Sequence, residues 1–396
     1  MIGGFRDVED TRARIALSRL AEPANAGLGA LVRQHGAAAV LADLRSQSLR
    51  DETLQRQLHS RIERLDVDAE LAALDVVGGR VVCPGDDEWP ACVDDLGDKA
   101  PLVLYVRGAA HLATAVDNAV SMVGMRAASA YGIEVATGFA AELGDRGWTI
   151  VSGGAYGIDA ASHRGALAAG GTTTAVLACG VDVTYPRGHA GLFAAICDSG
   201  AIVSELPPGS APHRRRFLDR NRLIAALGAG TVVVEAAARS GARRTATEAR
   251  DLGRPLMVVP GPVTAQTSVG CHRLLREEPT SVVVTTAADV IEMVGRVGFD
   301  LAPIPHGETT RRDELTLEMA RVLDAVPVVR SQGPARIAGT AGLPLADVEL
   351  ALGRLDLLGF VEEHDGGWRL SADERRRRRA ESDADTPTQA EMLDRT

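Results

Sequence analysis

The stretch Val151-Ser152-Gly153-Gly154-Ala155-Tyr156-Gly157-Ile158-Asp159 decides how this chain folds. The apolar run 148–151 in front of it predicts a buried strand, and residues 160–167 behind it predict a helix. A strand, a Gly-rich turn and a helix N-terminus together form an anion site. Glycine lets the backbone come close, and the free N–H groups and dipole of the helix favour negative charge. Just upstream, residues 119–123 predict a second buried strand. It ends in Gly124-Met125-Arg126 and leads into a helix expected over 127–143. Two strand–loop–helix units thus place Arg126 and Gly153-Gly154 on one sheet edge.

The same alternation continues to residue 294. Strands are expected at 173–177, 201–204, 230–235, 255–259 and 281–284, with helices at 189–197, 218–227, 244–252 and 287–294. Such alternation implies an α/β fold with a doubly wound, mostly parallel sheet, whose ligands bind at the carboxyl ends of the strands. Gly124-Met125-Arg126, Ser152-Gly153-Gly154, Ser204-Glu205, Glu235 and Ser240-Gly241 all fall there.

Flanking segments complete an expected order of five parts. Residues 1–75 read as a small helical N-terminal domain, and 76–300 as the sheet domain, entered through a strand within 101–108. Residues 301–312 read as a Pro-containing linker, 313–371 as three helices and a hairpin in winged-helix order, and 372–396 as a disordered tail. The third helix of that winged helix carries Asp347, Glu349, Arg354 and Asp356, and the hairpin carries Glu362, Glu363 and Asp365. An acidic helix suits DNA phosphates poorly, so a protein-interaction role is the better expectation.

Composition excludes several chemistries. Of 43 basic residues only Lys99 is a lysine, so the phosphate-loop signature ending in Gly-Lys is absent and a Schiff-base lysine is nearly excluded. The net charge of −10 rules out a uniformly basic nucleic-acid binder but leaves room for a local patch. Aromatics at 3% argue against an extended stacking platform. Cys83, Cys92, Cys179, Cys197 and Cys271 form no CxxC pair, which fits reduced thiols in a cytoplasm and argues against a metal site. No run of 18 apolar residues is present, so a soluble, non-exported chain is expected.

A local basic patch does exist. His213-Arg214-Arg215-Arg216-Phe217-Leu218-Asp219-Arg220-Asn221-Arg222 sets five arginines against one aspartate, in what reads as a loop before a helix. Arginine's fork matches phosphate oxygens. With Arg126, the Ser152-Gly153-Gly154 loop, and Ser240-Gly241 beside Arg243 and Arg244, this patch would follow several phosphates of one extended strand. A solvated charged loop is the plainer alternative. Asp159 reads as a capping carboxylate rather than a general base. Glu235 reads as a partner for one of the loop arginines, with ribose or water contact as its rival. His163 reads as structural. No Ser-His-Asp set, metal cluster or close carboxylate pair stands out, so neither a cofactor nor catalysis is expected.

The order of motifs resembles the DNA-processing protein A (DprA/Smf) family. DEWPACVDDLGDKAPLVLYVRG (87–108), VGMRAASAYG (123–132), VSGGAYGIDAASH (151–163), AVLACGVDVTYP (175–186), SELPPG (204–209), RNRLIAAL (220–227), VVVEAAARSGARRTA (232–246) and GRPLMVVPGP (253–262) carry the resemblance. It implies an extended Rossmann-like domain in a bacterial cytoplasmic protein that is commonly dimeric. Such a protein binds and protects single-stranded DNA in natural transformation and loads the RecA recombinase onto it. It also implies a DNA pocket that includes Arg126, Ser152-Gly153-Gly154 and the Arg220-Asn221-Arg222 face. Met125 departs from the family's usual Ser or Thr. Ser240-Gly241-Ala242-Arg243-Arg244-Thr245-Ala246 replaces a usual SGSLxTA, and Gly270-Cys271-His272 replaces a usual Gly-x-Asn. A nucleotide-binding sensor or nucleotide hydrolase built on the same sheet edge is the competing expectation. A regulator reading duplex DNA through the winged helix is a third, which its acidic surface disfavours.

Overall fold

Five helices open the chain: α1 (Val8–Leu20), α2 (Ala26–His35), α3 (Ala37–Arg45), α4 (Glu52–His59) and α5 (Val67–Val76). The computed structural model describes residues 8–238, 240–295, 311–312 and 314–384. Carboxylate and amide side chains start three of these helices: Asn25, Asp51 and Asp66 each accept a backbone N–H of the first turn. Their apolar faces bury Leu17, Leu20, Leu28, Val40 and Leu44 against one another.

Strands β1 (Gly79–Val82) and β2 (Leu104–Arg107) precede α6 (Leu112–Val116). Then come β3 (Ala119–Val123), α7 (Ala130–Asp145), β4 (Thr149–Ser152), α8 (Ile158–Ala168), β5 (Thr173–Val176), α9 (Ala190–Ser199) and β6 (Ala201–Ser204). After them follow α10 (Arg214–Leu227), β7 (Gly230–Val233), α11 (Gly241–Asp251), β8 (Leu256–Val258), α12 (Val269–Glu277), β9 (Ser281–Val283) and α13 (Ala287–Val294). The nine strands make one sheet in the order β1-β2-β6-β5-β4-β3-β7-β8-β9. All neighbours are parallel except β1 with β2 and β2 with β6. Helices cover both faces, and every residue of β3 to β7 is buried.

The sheet order runs down from β6 to β3 and then jumps to β7. The loops after β3 and β7 therefore diverge to opposite faces, and the crevice between them is the topological switch point.

Two expectations change here. Helix α10 begins at Arg214, not at residue 218, so Arg214, Arg215 and Arg216 form its first turn instead of a loop. Helix α11 begins at Gly241, which makes Ser240 its N-terminal flank.

The chain divides into two compact units, Met1–Pro303 and Ile304–Thr396. Helix α1 and the sheet share the first: Ile15 packs in one cluster with Val103, Tyr105 and Ile202, and the Ser18 hydroxyl meets the Tyr105 hydroxyl at 2.9 Å.

The second unit holds α14 (Leu317–Ala325), α15 (Pro334–Ala341) and α16 (Leu345–Leu357), then the hairpin β10 (Val361–His364) and β11 (Gly367–Leu370). Asp365 and Gly366 turn the hairpin with φ of 51° and 73°, the left-handed pair that suits a two-residue loop. Val322, Ile337, Leu352, Leu355 and Phe360 form its core. The tail expected to be disordered instead starts as a helix, α17 (Ala372–Ala384). Its first turn is tied to the hairpin, because Arg375 and Arg369 both pair with Glu362, at 3.2 and 2.7 Å. Residues 385–396, and all but 311–312 of the expected linker, lie outside the described residues.

Candidate nucleic-acid interface

A cavity of about 670 Å³ opens at the β3–β7 switch point. One wall is the loop after β3, Gly124 to Ala127, and another is the start of α11, from Ser240 to Thr245. Helix α10 supplies a third. Arg214, Phe217, Leu218 and Asn221 line the cavity at the i, i+3, i+4, i+7 spacing of one helix face.

Arg126 stands exposed at the mouth, with its guanidinium carbon 5.0 Å from the centre of the Phe217 ring. That distance is within the range of a cation–π contact. Tyr185, 42% exposed, sets its ring 5.7 Å from the same Phe217. Arg214 is exposed along the same edge. Two ring faces and two exposed guanidinium groups thus share one rim. The aromatics escape a sequence reading that counts them across the whole chain. The helical spacing of Arg214, Phe217 and Asn221 is the signal that finds Phe217, once α10 is started at Arg214.

Arg220 sits beneath this rim, 6% exposed. Its Nη1 donates to the Gly153 carbonyl at 2.7 Å and to the Val176 carbonyl. Gly153 lacks a side chain for this reason, since a Cβ there would lie 2.3 Å from that nitrogen. Burial lowers the Arg220 pKa to about 10, which leaves it a cation at neutral pH.

The glycine loop is not the open anion cradle expected. Ser152, Gly153 and Gly154 are all buried. The Ser152 hydroxyl donates to the Met122 carbonyl at 2.6 Å, and the Gly154 carbonyl accepts from His189 Nδ1 at 3.0 Å. A loop N–H serves the chain's own carboxylate: Asp159 accepts from Ala155 N–H at 3.3 Å. Burial raises the Asp159 pKa, while the nearby Arg220 and Arg126 charges act against that rise. Asp159 thus closes the loop from inside, a firmer task than the capping role expected.

The other arginines separate into three kinds. Arg222 is a buried structural residue, its side chain 3% exposed. It forks onto Glu205 at 2.7 and 2.6 Å and donates to the Lys99 carbonyl at 3.0 Å. A phosphate contact expected of it would first have to break a buried ion pair. Arg216 is held away from the cavity, forking onto Glu22 at 2.9 and 2.8 Å. Arg215 is exposed and only loosely associated with Asp219, at 3.8 Å. On α11, Arg243 reaches Glu277 at 2.8 Å and the Ala238 carbonyl at 3.0 Å, and Arg244 meets Glu248 at 2.7 Å with half its side chain in solvent. Ser240 and Gly241 line the cavity; the Ser240 hydroxyl caps nothing, and the Gly241 carbonyl accepts from Asn221 Nδ2 at 3.3 Å.

Among the described residues Glu235 pairs with no arginine, contrary to expectation. It is 1% exposed and takes both its hydrogen bonds from Ser129. His163 is structural, as read: its Nδ1 lies 2.7 Å from the Thr173 hydroxyl in the core. Among the described residues no group of three His, Cys, Asp or Glu side chains is placed to hold a metal ion. No described helix is long and apolar enough to cross a membrane.

Known proteins bear on this geometry. Residues 80–295 match the model of the family described as DNA recombination-mediator protein A. A putative DNA processing protein DprA of Mycobacterium tuberculosis is 44% identical over 370 residues, covering 91% of this chain and 94% of that protein. Protein Smf of Escherichia coli is 35% identical over 276 residues, covering 68% and 71% of the two chains. The X-ray structure of DNA processing protein A from Streptococcus pneumoniae superposes with a TM-score of 0.61 at 30% identity, covering 73% of this chain and 99% of that one. This chain therefore belongs to the DNA recombination-mediator protein A family, whose members act as mediators on DNA rather than as enzymes.

Proposed function

We propose that this protein binds single-stranded DNA across the β3–β7 crevice, protects it, and hands it to a RecA-type recombinase in DNA uptake or recombination. The observation that carries the reading is the rim on which exposed Arg126 and Arg214 flank the Phe217 and Tyr185 rings. Guanidinium groups suit the backbone and ring faces suit unpaired bases, which a duplex keeps stacked inside. Phosphate contacts and stacking carry little base information, so sequence preference is weak. Recombinase loading, a homodimer and a cytoplasmic setting rest on the family. The second unit, taken as a winged helix, is proposed to meet protein rather than DNA, because Asp347, Glu349 and Asp356 are exposed on α16.

Binding measured against salt tests the first half. With the exposed Arg126, Arg214 and Arg215 as the phosphate contacts, log affinity falls with log salt at a slope of about 2, or roughly 0.7 per contact. Arg126→Ala removes about 0.7 of that slope. Equal affinity for duplex and single strand, or an Arg126→Ala variant that binds like the parent, defeats the reading. RecA filament formation on single-stranded DNA, followed with and without the protein, tests the second half.

The nucleotide-hydrolase reading loses its two chemical assets. Its strand-end carboxylate, Glu235, is buried on Ser129, and its glycine loop is filled by Asp159.

A further inference from the structure

Glu235 follows β7 with almost no exposure, and a carboxylate so placed needs partners. Both of its oxygens go to one residue. Oε2 accepts the Ser129 backbone N–H at 2.9 Å and Oε1 accepts the Ser129 hydroxyl at 2.6 Å. Ser129 is the N-cap of α7, its own oxygen accepting from Gly132 N–H at 3.1 Å. Gly132 leaves room for the carboxylate, because a Cβ there would come within 2.3 Å of Oε2.

The loop that ends at Ser129 begins after β3 and carries Arg126. Its near end is held by Ile158 N–H on the Met125 carbonyl, at 3.1 Å. Its far end is held by Glu235, which lies 106 residues away in sequence. Between these anchors Arg126 reaches solvent and lies over Phe217.

We propose that Glu235 is the positioning residue for Arg126. It touches no DNA; it fixes the loop so that the guanidinium waits over the Phe217 ring. Releasing Ser129 spreads the loop over more conformers, and affinity falls by the fraction of time the guanidinium is elsewhere. The proposal deepens the single-stranded DNA reading and rests on it.

A double-mutant cycle in the full chain decides the matter, with single-stranded DNA affinity measured across a salt series for Arg126→Ala, Glu235→Ala and both together. Glu235→Ala is expected to lose up to about fivefold in affinity at 0.1 M salt and up to about 0.7 of the salt slope, the share of one phosphate contact. In the Arg126→Ala background it should cost nothing more. Glu235→Gln should recover most of the loss, since its amide oxygen still accepts from Ser129. If Glu235→Ala does not fold, Ser129→Ala takes its place in the cycle, with a smaller loss and the same non-additivity. Additive losses, or a Glu235→Ala variant with the parent's affinity and slope, overturn the role of Glu235 while leaving DNA binding intact. A parent chain that does not bind single-stranded DNA overturns the underlying reading instead.

Discussion

Arg220 Nη1 reaches the carbonyl of Gly153 at 2.7 Å, so a residue of α10 closes the glycine loop that follows β4. The contact joins two segments 67 residues apart and stands on the buried side of the proposed binding rim. Removing it should register as lost stability before it registers as lost binding.

Arg220→Ala is expected to destabilise the fold by about 3–5 kcal/mol, because it leaves the Gly153 and Val176 carbonyls without their donor and takes one of two nearby positive charges from the buried Asp159. Arg126→Ala, at an exposed position, should stay within about 0.5 kcal/mol of the parent. Urea unfolding of the two variants makes the comparison. Equal midpoints would show that Arg220 has no structural role.

Glu205→Ala strands the Arg222 guanidinium in the interior and should cost a similar amount, about 3–5 kcal/mol. Single-stranded DNA affinity, measured well below the unfolding temperature, should not change. A lower affinity with an unchanged midpoint would return Arg222 to the DNA-contacting set.

Glu22 holds Arg216 in a two-pronged pair, and the hydrogen bond from Arg216 keeps the Glu22 carboxyl below its usual pKa. Glu22→Gln weakens that hold. Salt-dependent binding should then gain up to about 0.7 in slope, close to fivefold in affinity at 0.1 M salt, as Arg216 joins the phosphate contacts. No change would mean that Arg216 cannot reach the strand.

His163 is buried with a pKa pushed down to about 3 from an ordinary 6.5, chiefly by burial, with the His189 and Arg220 charges adding to it. The folded state therefore declines a proton that the unfolded state accepts. Its contribution is complete above about pH 6.5 and is lost as pH falls toward 3, at up to about 1.4 kcal/mol per pH unit. Unfolding free energy against pH should show a shallower acid limb for His163→Gln. Parallel curves for variant and parent would place the acid sensitivity elsewhere.

The sheet was legible because its strands are short apolar runs bounded by glycine, and residues 119–123 and 148–151 announce themselves that way. The start of α10 was not legible. Three consecutive arginines look like a solvated loop, and only the packing of Phe217 and Arg216 shows that they belong to a helical turn. Arg126 was readable from its place after β3. The burial of Arg222 was not, since Glu205 and Lys99, its partners, lie 17 and 123 residues away. Spacing along one element predicts which side chains share a face; it says nothing of a carboxylate arriving from a distant segment, which is how Glu235 took a task different from the one expected, nor of a helix-start carboxylate such as Asp159 folding back into its own loop.

In doubly wound proteins a glycine loop at a helix start is where a phosphate settles. Here the chain's own Asp159 already occupies it. A diffusible nucleotide then finds no open phosphate seat in the loop itself and is left with the groups around the cavity. A strand lying along Arg126, Phe217, Tyr185 and Arg214 engages them together, and their weak contacts multiply through high effective concentration. Under the proposed function, polymer length becomes the selector. On that reading mononucleotides are ignored, and a threaded strand is held by several contacts, each weak enough to release in turn in the proposed hand-over to a recombinase.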